Sequence, residues 1–420
     1  MNMLLTVLGS RGDLNPFLII GVNLKNRGHQ VTIITSENYS HLVTSAGLNF
    51  ISCYSAAEYN EVQNNPDLYD PRKGFAVLAK NMMLGTMRKL YQLISQFNPA
   101  DTLLISSQFM LGARLANEKL GIPLVTLTLQ PAAFWSIAEP AVNPEALFLP
   151  KLPFFIRKLI MNKVEKEYMD SVLSPELNCF REELHLPPIK KIYSSWSLSP
   201  QKIIGLFPEW YAKFAGDWPP QTQLTGFVSY DENASQLLPK EVINFLENGE
   251  APLILTYGTA NQQGQYFYKT FIEAGRRLNQ RLLILTQYPN QLPNLQADRE
   301  CYAAYLSLST ALSKSKGIIH HGGIGTLSQA LATATPQLIV PFAHDQFDNA
   351  IRLEKIGAGI SLISKKGYSI EKAVSALENL IESTELKPQC LMHSKKINFS
   401  EAENLTCQLI EKAKYNDQLD

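Results

Sequence analysis

G-I-I-H-H-G-G-I-G-T-L-S-Q-A-L-A-T-A-T-P-Q-L-I-V-P-F-A-H-D-Q occupies residues 317–346. Residues 317–319 predict a short buried strand, and His320 to Gly325 form a glycine-rich turn. Residues 326–334 predict a helix with Leu327, Leu331 and Ala334 on one face. A second strand follows at 337–340, and Asp345 opens a second helix. Strand, glycine turn and helix start together make an anion site. Glycines let backbone N–H groups approach a phosphate closely, and the unpaired amides of a helix start carry partial positive charge. The turn is not G-x-G-x-x-G and has no P-loop lysine, so the common dinucleotide and nucleoside-triphosphate signatures are absent. It adds His320 and His321 ahead of the glycines, and Asp345-Gln346 at the end of the next strand.

Outward from this stretch the same alternation recurs. Residues 253–257 predict a strand ending at Gly258-Thr259, 266–279 a helix, 281–286 a strand and 306–313 a short helix. Residues 359–363 predict a last strand, with helices at 369–382 and 398–415. Far upstream, residues 3–8 predict a strand, followed by G-S-R-G-D-L-N-P-F at 9–17 and a helix to about Arg27. Strands are predicted at 31–35, 48–53, 102–106 and 124–127, with helical material at 71–97 and 110–120. Such alternation implies α/β domains with parallel sheets covered on both faces. A polar run at 225–250 places the boundary, giving an N-terminal domain 1–230 and a C-terminal domain 231–420 whose last helix packs back on the first. Two doubly wound, Rossmann-like domains would place a cleft between the carboxyl ends of their sheets.

Composition excludes several classes. The chain has 38 basic and 38 acidic side chains and a pI near 7.0, which argues against a nucleic-acid partner. Its five cysteines are scattered and show no C-x-x-C, as expected of buried thiols in a reducing cytoplasm. No D-x-D and no H-E-x-x-H occurs, so no metal is expected. No apolar run approaches the roughly 18 residues of a membrane span. Residues 130–220 read as Pro-rich, aromatic and irregular. Within them, 147–169 mixes bulky apolar residues with Lys151, Arg157, Lys158 and Lys163. Two readings stand: a peripheral membrane contact at the inner face, or an amphipathic helix packed on the first domain with its lysines in water.

H-H-G-G-I-G-T followed by P-F-A-H-D-Q-F-D-N-A resembles the donor signature of the nucleotide-sugar glycosyltransferases with the two-domain GT-B fold. G-S-R-G-D-L-N-P-F and L-K-N-R-G-H-Q-V-T resemble the first domain of that superfamily, in the version found in antibiotic and sterol glycosyltransferases. D-L-Y-D-P-R-K-G-F at 67–75, F-P-E-W at 207–210 and the D-W-P to T-G-F run ending at Phe227 look closest to the bacterial rhamnosyltransferase of rhamnolipid synthesis. The resemblance covers nearly the whole chain.

It implies a hexosyl transfer from a UDP- or dTDP-sugar to a hydroxyl of a hydrophobic acceptor of lipid, sterol or polyketide type. Transfer would invert the anomeric centre and need neither metal nor cofactor, the nucleotide sugar being a co-substrate. His320, His321, Gly322, Gly323, Gly325 and Thr326 would bind the diphosphate, with Gly258-Thr259, Ser10 and Arg11 adding contacts. Donors preorganised there stabilise charge that grows as the glycosyl bond breaks. For His320, packing beneath the turn remains an equal alternative. Asp345 and Gln346 would hold sugar hydroxyls, and His344 would lie beside them. Gln329 falls where UDP-sugar-using relatives carry a ribose-binding Glu, which points to a deoxyribose and a dTDP-sugar; Tyr305 would stack on the base. Asp13 would be the base taking the acceptor's proton, with a low pKa at a helix start; the alternative is a cap for a helix from Leu14. A nucleotide-sugar epimerase and a non-catalytic sugar-nucleotide-binding subunit are the competing functions.

Overall fold

The computed structural model describes residues 1–230, 238–258, 261–364 and 367–414. The chain divides into two compact units, Met1–Val228 with Phe399–Asp420, and Ser229–Asn398.

In the first unit β1 (Asn2–Thr6) leads through a turn into α1 (Arg11–Asn26), which returns the chain to β2 (Gln30–Ser36) and β3 (Asn49–Tyr54). The sheet continues with β4 (Thr102–Ser106), β5 (Leu124–Thr128), β6 (Lys202–Gly205) and β7 (Thr222–Leu224). Between β5 and β6 lies α2 (Phe154–Val164), which runs on through a wider turn into the helix Asp170–Glu183. All seven strands pair in parallel, in the order β3-β2-β1-β4-β5-β6-β7. Both faces are covered, so β4 and β5 are buried at every residue. Strand order reverses between β1 and β4, and ligands of such sheets bind beyond the carboxyl ends at that point. The Gly9–Asp13 turn leaves β1 there.

The second unit repeats the plan with β8 (Leu253–Thr256), β9 (Leu282–Leu285), β10 (Glu300–Ala303) and β11 (Gly317–His320). Then come α3 (Ile324–Ala332), β12 (Gln337–Ile339), α4 (Gln346–Lys355) and β13 (Gly359–Ser361). Its six-stranded parallel sheet has the order β10-β9-β8-β11-β12-β13, so strand order reverses between β8 and β11. One face packs on the helices Gln265–Arg277 and Ile370–Glu382 through Phe267, Phe271, Ala373 and Leu377. Truncating a buried leucine here, such as Leu255 or Leu338, removes about 2–5 kcal/mol of stability.

The chain closes with α5 (Phe399–Ala413), which belongs to the first unit. There Thr406 Oγ1 donates to Thr225 Oγ1 (2.8 Å), Asn23 Nδ2 donates to Glu403 (3.3 Å), and Arg27 pairs with Glu411 at 3.0 Å.

Three strands, β6, β7 and β10, go beyond the sequence expectation. They are only 4, 3 and 4 residues long, too short to show a period of two. The expectation of an irregular stretch over 130–220 is corrected. It holds the strand β6 and a helical run from Phe154 to Glu183, because its prolines fall mostly between elements.

Candidate functional site

In the second unit the site grows from the reversal between β8 and β11. Tyr257, just past β8, has its N–H bound to Tyr268 Oη (3.1 Å), while that hydroxyl donates to Leu285 O (2.9 Å). Tyr257 also stacks on Phe267 with ring centres 4.0 Å apart. The strand end is thereby held, and Gly258 turns away from it with φ +85. A Cβ on Gly258 would lie 3.1 Å from His321 Cε1, and one on Gly323 only 2.5 Å from His321 Nε2. The imidazole of His321 therefore lies against two glycines. Its Nδ1 is buried and has no hydrogen-bond partner among the described residues. Burial pushes its pKa down to about 4, so at neutral pH the ring is uncharged and acts as a hydrogen-bond partner.

His320 occupies a different place. It is fully buried, accepts the Gly322 N–H at Nδ1 (3.1 Å), and meets Gln337 Oε1 through Nε2 (2.9 Å). Nε2 must then carry the proton, and Gln337 passes the chain on by donating to Leu327 O (3.3 Å). Burial first, then neighbouring His321, lowers the His320 pKa to about 3. The expectation that His320 binds the donor is corrected: both ring nitrogens are used beneath the turn, and the residue shapes it.

Gly322 has φ +96, a conformation that disfavours a side chain, and a Cβ there would lie 2.7 Å from Ile339. Gly323 is the N-cap of α3 and supplies no side-chain oxygen to its first-turn amides. A Cβ on Gly325 would meet nothing within 4 Å, so packing does not demand that glycine. Thr326, half-buried, completes the first turn. These amides and His321 form a cradle suited to an anion.

Asp345 and Gln346 begin α4 beside this turn. Asp345 makes no capping bond to its helix; its Oδ2 accepts from Asn349 Nδ2 at 2.7 Å. The same Asn349 amide donates to Gly322 O (3.0 Å), tying the Asp345 carboxylate to the glycine turn. Gln346 Oε1 accepts from the N–H groups of Phe342 (3.0 Å) and Ala343 (3.1 Å). Its oxygen thus braces the preceding loop, and its NH2 is the end suited to a hydroxyl, which narrows the expected two-way role. His344 is exposed with φ 53. Gln329 is half-buried on α3, its Oε1 without a partner among the described residues. Tyr305 is half-buried past the end of β10, two strands from β8. Thr259 lies outside the described residues.

In the first unit, α1 starts at Arg11 with Ser10 as its cap, three residues before the expected start. Asp13 is therefore not the cap but its reciprocal partner. Its Oδ2 accepts from Ser10 N (2.7 Å) and Ser10 Oγ (2.8 Å), while Ser10 Oγ accepts from Gly12 N (3.2 Å). The Ser10 hydroxyl is thus engaged inside the turn, which corrects its expected contact with the donor. A Cβ on Gly9 would lie 2.4 Å from Asp13 Oδ2, so the carboxylate lies across a glycine. Burial outweighs the Ser10 bonds and raises the Asp13 pKa above 3.8, correcting the expected low value. Arg11, half-buried, stands beside this turn and contributes to the field at Tyr39. Tyr39 Oη donates to Gly9 O (3.3 Å) and meets Tyr59 Oη at 2.9 Å.

Asn349, Gln337 and the Tyr39–Tyr59 pair lie outside the residues that the sequence singles out. A polar residue four positions after Asp345 on a buried helix face was the available signal for Asn349. Among the described residues, no group of three or more His, Cys, Asp or Glu side chains is placed to hold a metal ion.

Residues 3–137 match the glycosyltransferase family 28 N-terminal domain, and residues 284–392 match the erythromycin biosynthesis protein CIII-like C-terminal domain. The chain is 27% identical over 381 residues to O-mycaminosyltylonolide 6-deoxyallosyltransferase of Streptomyces fradiae, covering 85% of this chain and 84% of the relative. It is 24% identical over 402 residues to sterol 3-beta-glucosyltransferase of Candida albicans, covering 86% of this chain but only 24% of that longer protein. Its fold superposes on a Streptomyces sp. SF2575 glycosyltransferase complexed with thymidine diphosphate, with TM-score 0.67, 18% identity, and coverage of 98% and 99%. A glycosyltransferase family 28 N-terminal match and an erythromycin biosynthesis protein CIII-like C-terminal match, on two parallel-sheet α/β domains with the fold of GT-B glycosyltransferases, make the chain a member of the GT-B nucleotide-sugar glycosyltransferase superfamily.

Proposed function

We propose that this chain moves a hexosyl group from a UDP- or dTDP-sugar to a hydroxyl on a hydrophobic acceptor of sterol or polyketide type. What carries the reading is His321: a buried Nδ1 with no partner among the described residues, beside a helix start that has no side-chain cap. A buried polar atom left unmade costs about 1–3 kcal/mol, and a diphosphate oxygen would relieve it. As the glycosyl bond breaks, charge accumulates on that diphosphate, where the amides of Gly323 to Thr326 can stabilise it more than in the ground state. Asp345 and the Gln346 NH2 take the sugar hydroxyls, and Asp13 takes the acceptor proton.

A dTDP-sugar is the favoured donor. Gln329 has one carbonyl oxygen to offer a pentose where a carboxylate would offer two, and a neighbour in fold was solved with thymidine diphosphate. The names of the two relatives support an acceptor of polyketide or sterol type. Rhamnosyl transfer rests on the motif likeness at 67–75 and 207–210.

Thermal unfolding with a panel of UDP- and dTDP-sugars tests the donor. Ligand at a hundred times its Kd stabilises by about 2.7 kcal/mol, a readily measured rise in Tm. Mass spectrometry of acceptor extracts incubated with the best donor identifies the product, and its anomeric NMR coupling reads inversion. Transfer is expected to persist in a chelator. If no sugar nucleotide shifts Tm, the proposal fails.

A further inference from the structure

The first unit carries a second surface that sugar transfer does not explain. Among the described residues, twelve large hydrophobic side chains are exposed, and six of them lie between Leu147 and Val164. Phe155 and Leu159 are the most open, at 64% and 68%, and stand one turn apart on α2. Phe148 and Phe154 extend the patch at 55% and 49%.

This face is held outward by the rest of the helix. Met161 is buried on the inner side, and Arg157 Nη1 donates to Ala138 O (2.9 Å). Just beyond α2, buried Glu165 accepts from Ser194 N (3.0 Å), and Asp170 accepts from the N–H groups of Lys191 (2.8 Å) and Ile192 (3.1 Å). Charge gives the patch its sign. Residues 147–164 contain Lys151, Arg157, Lys158 and Lys163 and no acidic residue. The lysines are exposed in the same segment as the aromatic rings. A helix with bulky apolar side chains and lysines on its outer face, anchored by its inner one, matches the chemistry of an interface between acyl chains and anionic headgroups.

We infer that α2 and the turn before it dock the protein on an anionic lipid bilayer, Phe155 and Leu159 entering the acyl boundary and Lys151 and Lys158 meeting headgroup phosphates. No helix among the described residues is long and apolar enough to cross a membrane, so this contact is peripheral. It goes beyond the donor reading and does not depend on it.

Sedimentation of the full chain with vesicles tests the inference, comparing mixed phosphatidylcholine and phosphatidylglycerol with phosphatidylcholine alone. The full chain should pellet with the anionic vesicles, less so as salt rises. Phe155→Ser with Leu159→Ser should lower partitioning about tenfold for each residue, with Tm unchanged because both side chains are exposed. Lys151→Gln and Lys158→Gln should each lower it about fivefold. No pelleting, or pelleting that these changes leave intact, overturns the inference. So does light scattering that shows a dimer which Phe155→Ser with Leu159→Ser splits, for then a second copy is the partner.

Discussion

The imidazole of His321 rests on Gly323 so closely that a Cβ there would come within 2.5 Å of Nε2. The missing side chain is what lets the ring lie beside the start of α3, where Nδ1 stays buried and unpaired among the described residues. Gly323→Ala must therefore displace the ring or the turn. Donor affinity should fall at least about tenfold, a loss of about 1.4 kcal/mol, as measured by calorimetric titration with the nucleoside diphosphate. His321→Ala should weaken binding comparably, and the pair together should cost less than the sum of the two.

Asn349 joins the start of α4 to the glycine turn through one buried amide, at 2.7 Å from Asp345 Oδ2 and 3.0 Å from Gly322 O. Asn349→Leu removes the amide from which both the Asp345 carboxylate and the Gly322 carbonyl accept. Denaturant unfolding should show a loss of about 1–3 kcal/mol, with weakened sugar-nucleotide binding. An unchanged donor affinity would remove Asn349 from the support of this site.

Gln346→Glu separates bracing from binding. A carboxylate still accepts the Phe342 and Ala343 N–H groups but has no NH2 to donate. Tm should stay near the wild-type value while KM for the sugar nucleotide rises. Free nucleoside diphosphate, which has no sugar, should bind as before.

Burial raises Asp13 above its ordinary 3.8, so a base at this position sets an acidic limb of the kcat profile above that pH. Activity should rise as pH climbs through the raised value, because the ionised form takes the proton. Stability runs the other way. Between 3.8 and the raised value the folded chain holds more proton than the unfolded one, so the contribution of Asp13 falls as pH rises. Asp13→Asn keeps an oxygen for Ser10 and should fold, while transfer drops about 10²–10⁴-fold. Near-normal transfer in this variant would exclude Asp13 as the base.

His320 ties the fold itself to pH. Its imidazole is neutral down to about 3 in the folded chain, against 6.5 when unfolded. Between these values the unfolded state binds more protons, so stability falls as pH falls and is level above 6.5. The slope from this one residue approaches about 1.4 kcal/mol per pH unit. The difference between wild type and His320→Gln, followed by Tm from pH 7 to 4, isolates it from the carboxylates.

Much of this was legible in residue order alone. Apolar runs such as Leu103 to Ile105 in β4 and Leu282 to Leu285 in β9 announce buried parallel strands. G-S-R-G-D and H-H-G-G-I-G-T mark the two turns, because glycines suit such bends and Ser10 with Asp13 caps the helix after the first. Local pattern was enough for these elements, since strand burial and glycine turns each leave a mark within a few neighbouring residues.

Contacts distant in sequence left no such mark. Nothing in H-H-G-G says which histidine lies beneath the turn. That was decided by Gln337, seventeen positions away on the neighbouring strand, which takes up His320 and leaves His321 beside the helix start. The raised pKa of Asp13 likewise comes from burial, which depends on everything packed around the turn. The outward aromatic face of α2 was decided by Met161, buried on the opposite side, and by Arg157, whose Nη1 donates to Ala138 O. Residue order determined the two α/β units and the positions of their glycine turns, because those depend on local backbone chemistry. Protonation, side-chain orientation and exposure were decided only by tertiary packing, because each depends on what the rest of the chain brings alongside.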